Sequence, residues 1–331
     1  RAGGCPGERH LPDADDASQE DYFQVTGRIV SRGGRTKSAF PGYPQIGMKR
    51  ILLVLTALLC GPGPGMAGNP FLRPEGAAPF VVAHGGCKHL FPENTMVAFD
   101  GAVALGVDML EMDVRLTADS VLVTHHDDTL RRTSDGEGLI IGYTLEELGR
   151  FNFGAKFAGL EKKYPYRNCR VRITTLESVL LKYGRVRRMF LEIKGEGGEG
   201  LRCAEKLAEL LRRTATEDRV LVSAFNDRIV RHFRKVSRGR VQTAMGRRHA
   251  RRLVVLSKMG LGFLWCGKYK SLQIPLRMGK VRLDRPSIVR TARRKGISVY
   301  YWTVNRTEDM ERLAALGADG VITDRPDRVP E

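Results

Sequence analysis

Met109-Leu110-Glu111-Met112-Asp113-Val114 is the stretch on which the fold turns. Its residues are apolar except for two carboxylates two positions apart, and in a strand that spacing puts Glu111 and Asp113 on one face. Apolar residues on both faces mark a strand covered on both sides, as in a parallel sheet. Upstream, Phe80-Val81-Val82-Ala83 is a second such strand and runs straight into His84-Gly85-Gly86. Between the two, residues 94–105 predict a helix, with Asn94 or Thr95 as N-cap and Gly106 as stop.

The alternation continues to the end of the chain. Strands are expected at 109–116, 121–124, 189–193, 219–223, 241–245, 262–265, 298–304 and 320–322. Helices are expected at 144–149, 175–183, 200–213, 228–236, 248–257, 287–295 and 308–316. Residues 140–172 are irregular and rich in Gly, Lys and Tyr, so they read as an insertion or lid. Around eight apolar strands over roughly 250 residues predict an α/β fold, a (β/α)8 TIM barrel with a small insertion. No internal repeat of fixed period is present.

Catalytic groups of such barrels stand at the C-terminal ends of strands. Polar residues interrupt this chain at those points: His84, then Glu111 and Asp113, His125-His126-Asp127 after the third strand, Glu192 and Lys194 after the fourth, Trp302 and Asn305, and Thr323-Asp324. Glu111, Asp113 and Glu192 facing one mouth repel one another, and a hard divalent cation with oxygen ligands relieves the conflict. Alone, the Glu-x-Asp pair is as well explained by ion pairing or exposure; the third carboxylate favours the metal. His84 with His125 or His126 suits general acid and base work, although a lone His is more often a structural donor. Spacing does not choose between His125 and His126. Lys194 either pairs with a carboxylate or holds a phosphate oxygen as a point charge.

Taken together these blocks resemble the glycerophosphodiester phosphodiesterase family. The resemblance rests on Ala83-His84-Gly85-Gly86, Phe91-Pro92-Glu93-Asn94-Thr95, Leu110-Glu111-Met112-Asp113, His126-Asp127-Asp128-Thr129-Leu130-Arg131-Arg132-Thr133, Leu191-Glu192-Ile193-Lys194, Trp302-Thr303-Val304-Asn305 and Gly320-Val321-Ile322-Thr323-Asp324. It implies hydrolysis of a small-molecule glycerophosphodiester to glycerol 3-phosphate and an alcohol. His84 and His126 would be the acid/base pair, Glu111, Asp113 and Glu192 would hold Ca2+ or Mg2+, and Lys194 would contact the phosphate. Glu93 would brace its loop, and Trp302 would line the alcohol pocket or pack in the barrel. Lysophospholipase D action at membranes and a non-catalytic phosphodiester-binding barrel are the alternatives. The chain departs from the family at Gly85, where an Arg is usual. Lys88 or His89 would stand in for it. Restoring Arg at 85 is expected to raise kcat/KM, unless Gly85 has positive φ.

The chain has 331 residues, a formal net charge of +18 and 42% hydrophobic residues, enough for a sizeable core. Residues 247–295 carry fifteen Lys and Arg and a single acid, Asp284. Such a stretch is either a solvated basic face or one that attracts phosphates or an anionic membrane. No nucleic-acid module accompanies the charge, so nucleic acid is not an expected partner. Residues 1–47 carry no sustained period and are read as disordered or upstream of the true start. Residues 48–67 have the layout of a signal peptide, Met48-Lys49-Arg50, a short apolar run, then Gly65-Met66-Ala67, implying cleavage after Ala67 and a secreted or periplasmic domain at 68–331. Cys87, Cys169, Cys203 and Cys266 would then remain. They lack zinc spacing and read most simply as buried free thiols.

Overall fold

The computed structural model describes residues 68–330; residues 1–47, the signal segment 48–67, Cys5 and Cys60 lie outside them. In chain order come β1 (Phe80–Ala83), α1 (Met96–Ala104), β2 (Met109–Leu116), β3 (Leu122–Thr124), α2 (Leu145–Leu148), β4 (Thr174–Thr175) and α3 (Leu176–Tyr183). Then follow β5 (Arg188–Ile193), α4 (Gly197–Arg213), β6 (Val220–Ser223), α5 (Asp227–Val236), β7 (Gln242–Thr243) and α6 (Arg247–Lys258). The last part holds β8 (Ser271–Pro275), β9 (Arg277–Met278), β10 (Val281–Arg282), α7 (Pro286–Arg294), β11 (Ser298–Trp302), α8 (Thr307–Leu316) and β12 (Gly320–Thr323).

Strands β7, β6, β5, β2, β1, β12, β11 and β8 neighbour one another in that order, each pair parallel. A parallel bridge between Ala244 and Ser271 joins the two ends and closes an eight-stranded barrel. Period-two alternation sorts the side chains. On β5, Met189, Leu191 and Ile193 face outward into the layer beneath the helices, while Phe190 joins Val82, Met109, Leu221, Tyr300 and Ile322 in the barrel interior. Helix α4 meets that outer layer with Cys203, Ala204, Leu207 and Leu211, the spacing of an amphipathic stripe. Thr95 caps α1, and Thr144 with Glu147 makes a capping box on α2.

The N-terminal end of the barrel is stoppered. Phe71, fully buried, packs against Phe190 with ring centroids 5.6 Å apart, and its carbonyl accepts a 2.8 Å hydrogen bond from the Tyr300 hydroxyl. Asn69 Nδ2 donates to the carbonyls of Lys270 (2.8 Å) and Gly296 (3.1 Å), and Arg73 N donates to Asp319 Oδ1 (2.9 Å). These partners lie just before β8, β11 and β12, which fixes the segment to the end of the barrel opposite the strand C-termini.

Two strand assignments are corrected. The third predicted strand is not in the barrel: β3 folds back antiparallel on β2. Consequently Glu192 and Lys194 end the third barrel strand, not the fourth. The strand expected at 262–265 is a 3-10 turn, Gly262–Leu264, and the barrel strand is β8. Outside the barrel, Ile140, Phe153, Tyr166 and Val171 pack with Leu130 in a separate small core. Cys87 and Cys203 are buried free thiols, whereas Cys169 is disulfide-bonded and Cys266 is exposed. Among the described residues no helix is long and apolar enough to cross a membrane.

Candidate active site

One layer above the apolar barrel interior the inward positions turn polar. Met109 gives way to Glu111 and Asp113 on β2, Phe190 to Glu192 on β5, and Ile322 to Asp324 just past β12. Asp113 stands opposite Glu192 in the register. One oxygen from each of Glu111, Asp113 and Glu192 lies within 4.8 Å of the others. Lys194, just past β5, places Nζ 3.1 Å from Asp113 Oδ1 and 2.9 Å from Glu192 Oε1.

The framework holding these carboxylates comes from the loop after β1. Gly85 N donates to Glu111 Oε2 (2.8 Å). Asn94 grips Asp113 twice: its Nδ2 donates to Oδ2 (2.9 Å) and its Oδ1 accepts from the Asp113 backbone (3.0 Å). Asn94 is therefore not the helix cap. Burial and the adjacent Asp113 push the Glu111 carboxyl up to about 7, and burial also raises Glu192. Asp113 is buried too, but Lys194, His126 and Asn94 outweigh that cost and hold it below the usual carboxylate range.

The sheet's detour brings His126 to the mouth. Because β3 returns along β2, His125 N bonds the Asp113 carbonyl (2.9 Å) and His126 follows it. His126 Nδ1 sits 2.7 Å from Asp127 Oδ1. Asp127 is in turn held by Arg132, whose guanidinium also bonds both oxygens of Glu93 at 2.7 and 2.6 Å. Glu93 thus braces its loop, as expected. Burial opposes ionisation of Asp127, yet Arg132 and His126 bring it to about 2. His125 points away. It is buried, contacts the Asp127 carbonyl (2.9 Å) and Thr133 Oγ1 (3.0 Å), and packs edge-on against Phe153. Burial lowers its pKa, so it stays neutral.

His84 mirrors His126 across the mouth, with Nδ1 2.7 Å from Asp324 Oδ1. Asn305 fixes that carboxylate, donating from Nδ2 to Asp324 Oδ2 (2.8 Å). Burial lowers the His84 pKa, but Asp324 and Glu111 reverse this and leave it raised. Lys88 Nζ lies 3.4 Å from His84 Nε2. Gly85 has φ +54°, so a side chain at 85 is strained there and the simple expectation of a gain from Arg does not hold. Trp302 ends β11 and meets Phe225 edge-to-face at 6.0 Å, while Phe225 lies under the cations of Lys194 and Arg247.

The profile of the glycerophosphoryl diester phosphodiesterase family matches residues 84–328. The chain belongs to that family. A glycerophosphodiester phosphodiesterase of Caldanaerobacter subterraneus subsp. tengcongensis is 34% identical over 260 residues, covering 75% of this chain and 94% of the relative. The glycerophosphoryl diester phosphodiesterase domain of a Mycobacterium tuberculosis protein superposes with a TM-score of 0.66 at 24% identity, over 76% of this chain and 97% of that one. An Oleispira antarctica phosphodiesterase in complex with the product sn-glycerol-3-phosphate superposes with a TM-score of 0.61 at 25% identity, over 76% and 95%. The protein is a glycerophosphodiester phosphodiesterase, and its acidic triad is able to hold a divalent metal.

Proposed function

We propose that the mouth hydrolyses glycerophosphodiesters to glycerol 3-phosphate and an alcohol with a divalent cation, Ca2+ or Mg2+, held by Glu111, Asp113 and Glu192. The observation that carries this is a charge deficit. One oxygen from each of Glu111, Asp113 and Glu192 lies within 4.8 Å of the others. Lys194, at 3.1 Å from Asp113 Oδ1 and 2.9 Å from Glu192 Oε1, sets one positive charge against three carboxyl groups. Buried carboxylates left under-neutralised are expensive unless a further cation completes them. A bound divalent ion supplies Lewis-acid polarisation of a nonbridging phosphate oxygen.

The remaining work falls to the chain's own residues. Lys194 lies beside the cluster, placed to hold a second phosphate oxygen. His84 and His126 each have Nδ1 on a carboxylate, which fixes the tautomer and turns Nε2 to the mouth. One takes the proton from the attacking hydroxyl and the other delivers a proton to the leaving alkoxide; if the substrate's own glycerol attacks first, water then opens the cyclic phosphate by the same pair with roles exchanged to give glycerol 3-phosphate. Trp302 and Phe225 offer an apolar wall to an uncharged part of the diester. Dialysis against a chelator should abolish turnover of glycerophosphocholine, and Ca2+ or Mg2+ should restore it. Full activity without metal would remove the triad from the mechanism.

One observation favours action on lysophospholipids at a membrane. The hairpin β9–β10 leaves β8 at the catalytic end, exposes Met278 (60%) and Val281 (41%), and carries Arg277 and Lys280. Turnover of lysophosphatidylcholine in anionic vesicles, set against soluble glycerophosphocholine, tests it. Export is a separate proposal: a product expressed from Met48 in a secreting bacterium should begin at Gly68, as read by N-terminal sequencing.

A further inference from the structure

A cavity of about 480 Å³ opens between the loop after β1 and the insertion. At one end lies Lys88, whose ammonium is 3.4 Å from His84 Nε2, so this end is continuous with the catalytic mouth. Its far wall belongs to the insertion, with Phe157, Leu160, Lys156 and Lys162. The charges do not balance. Arg132 is spent on Glu93 and Asp127 through four hydrogen bonds. That leaves no lining carboxylate for Lys156 and Lys162. Lys156 Nζ bonds only the neutral carbonyl of Arg131, and Glu161, beside Lys162, pairs with Lys163 instead. Lys88 has Asp324 at 3.8 Å, but that carboxylate is held closer by His84.

We propose that this cavity is the subsite for the non-glycerol half of the substrate, and that it selects a half bearing its own phosphate group. The inference rests on the reading of the mouth as the phosphodiesterase centre. Lys88 stands where the reacting phosphate meets His84. Lys156 and Lys162 are left to face a second anion further along, against the apolar wall of Phe157 and Leu160. A quaternary ammonium group entering the same space meets Lys88, Lys156 and Lys162, while the one lining carboxylate, Glu93, is taken up by Arg132, so it is disfavoured.

The test compares three diesters: 1,3-bis(glycerophospho)glycerol, with a second phosphate; glycerophosphoglycerol, neutral in the same position; and glycerophosphocholine, cationic there. Affinity is measured by calorimetry on the His126→Ala protein at low salt, so that binding is read without turnover. The doubly phosphorylated diester should bind roughly five- to tenfold tighter than glycerophosphoglycerol, and glycerophosphocholine weakest, a range typical of partly exposed ion pairs. The double variant Lys156→Glu, Lys162→Glu should erase or invert that order, weakening the doubly phosphorylated diester far more than glycerophosphoglycerol; both side chains are exposed, so folding is not at stake. Equal affinities for the three diesters, or an order indifferent to the double variant, would overturn the subsite. If binding follows the predicted order but wild-type protein turns none of the three over, the catalytic reading fails and the subsite stands.

Discussion

At the residue scale the two adjacent histidines give the sharpest contrast. His126→Ala should lower kcat by roughly 10²–10⁴ with little change in Tm, since its ring is half-exposed and acts on the substrate. His125→Ala should instead cost about 1–3 kcal/mol of stability, because it strips buried partners from Thr133 and the Asp127 carbonyl. Equal kcat losses with equal Tm would show the two roles to be misassigned. Gly85→Arg places a side chain at φ +54°, which costs about 1–2 kcal/mol, and its Cβ meets Asn94 Nδ2 at 3.5 Å. The variant should therefore melt lower and turn over no faster, and Gly85→Ala should share the stability loss. A faster Gly85→Arg enzyme would show that a missing phosphate contact outweighs the strain. His84, the three carboxylates and Lys194 could be singled out in the sequence, because they stand at or just past the ends of apolar strands, with Glu111 and Asp113 on one face of β2. Asp324 and Asn94 carried no local signal of their roles. Asp324 meets His84 across 240 positions and Asn94 meets Asp113 across 19, pairings made when β1 takes its place between β12 and β2.

Among the elements, β2 and β5 matter most, since their ends hold the acidic triad. The raised carboxyls of Glu111 and Glu192 mean that the folded, metal-free protein binds more protons than the unfolded chain from about pH 4.5 up to about pH 7. Stability therefore falls as pH rises through that window. Thermal melts without metal should show Tm dropping between pH 5 and pH 8, with the slope flattened in Glu111→Gln. Added Ca2+ or Mg2+ should raise Tm more at pH 8, where Glu111 is ionised and can bind, than at pH 5. A metal effect indifferent to pH would detach Glu111 from the site. Long amphipathic helices such as α4 were readable to within a few residues. Short strands were not. Residues 262–265 look like a strand because apolar residues cluster there, yet Gly260, at φ +75°, turns the chain just before them. The real strand, Ser271–Pro275, hides its outward Leu272 and Ile274 between polar neighbours.

For the whole molecule, the barrel class could be read from the alternation of strands and helices, although one expected strand lies outside the barrel, another is a turn and β8 was not expected. Neither closure through Ala244 and Ser271 nor the stopper at Phe71 could be: the first depends on β8, which alternation did not reveal, and the second on partners some 200 residues away. Phe71→Ala should cost about 3–5 kcal/mol, as expected for a large aromatic removed from a fully enclosed site. Denaturant titration measures it, and a loss under 1 kcal/mol would mean the barrel floor closes without it. The stopper also sets a schedule. A ribosome releases residue 69 some 200 residues before residues 270 and 296, whose carbonyls Asn69 needs, and the partner of Arg73 comes 246 residues after it. Closing so long a loop costs entropy that is returned only as β8, β11 and β12 emerge. A nascent chain can thus assemble the early βα units, but its floor stays open until synthesis is nearly finished, so a chain stalled before β12 presents an unsealed, apolar barrel end to chaperones and proteases.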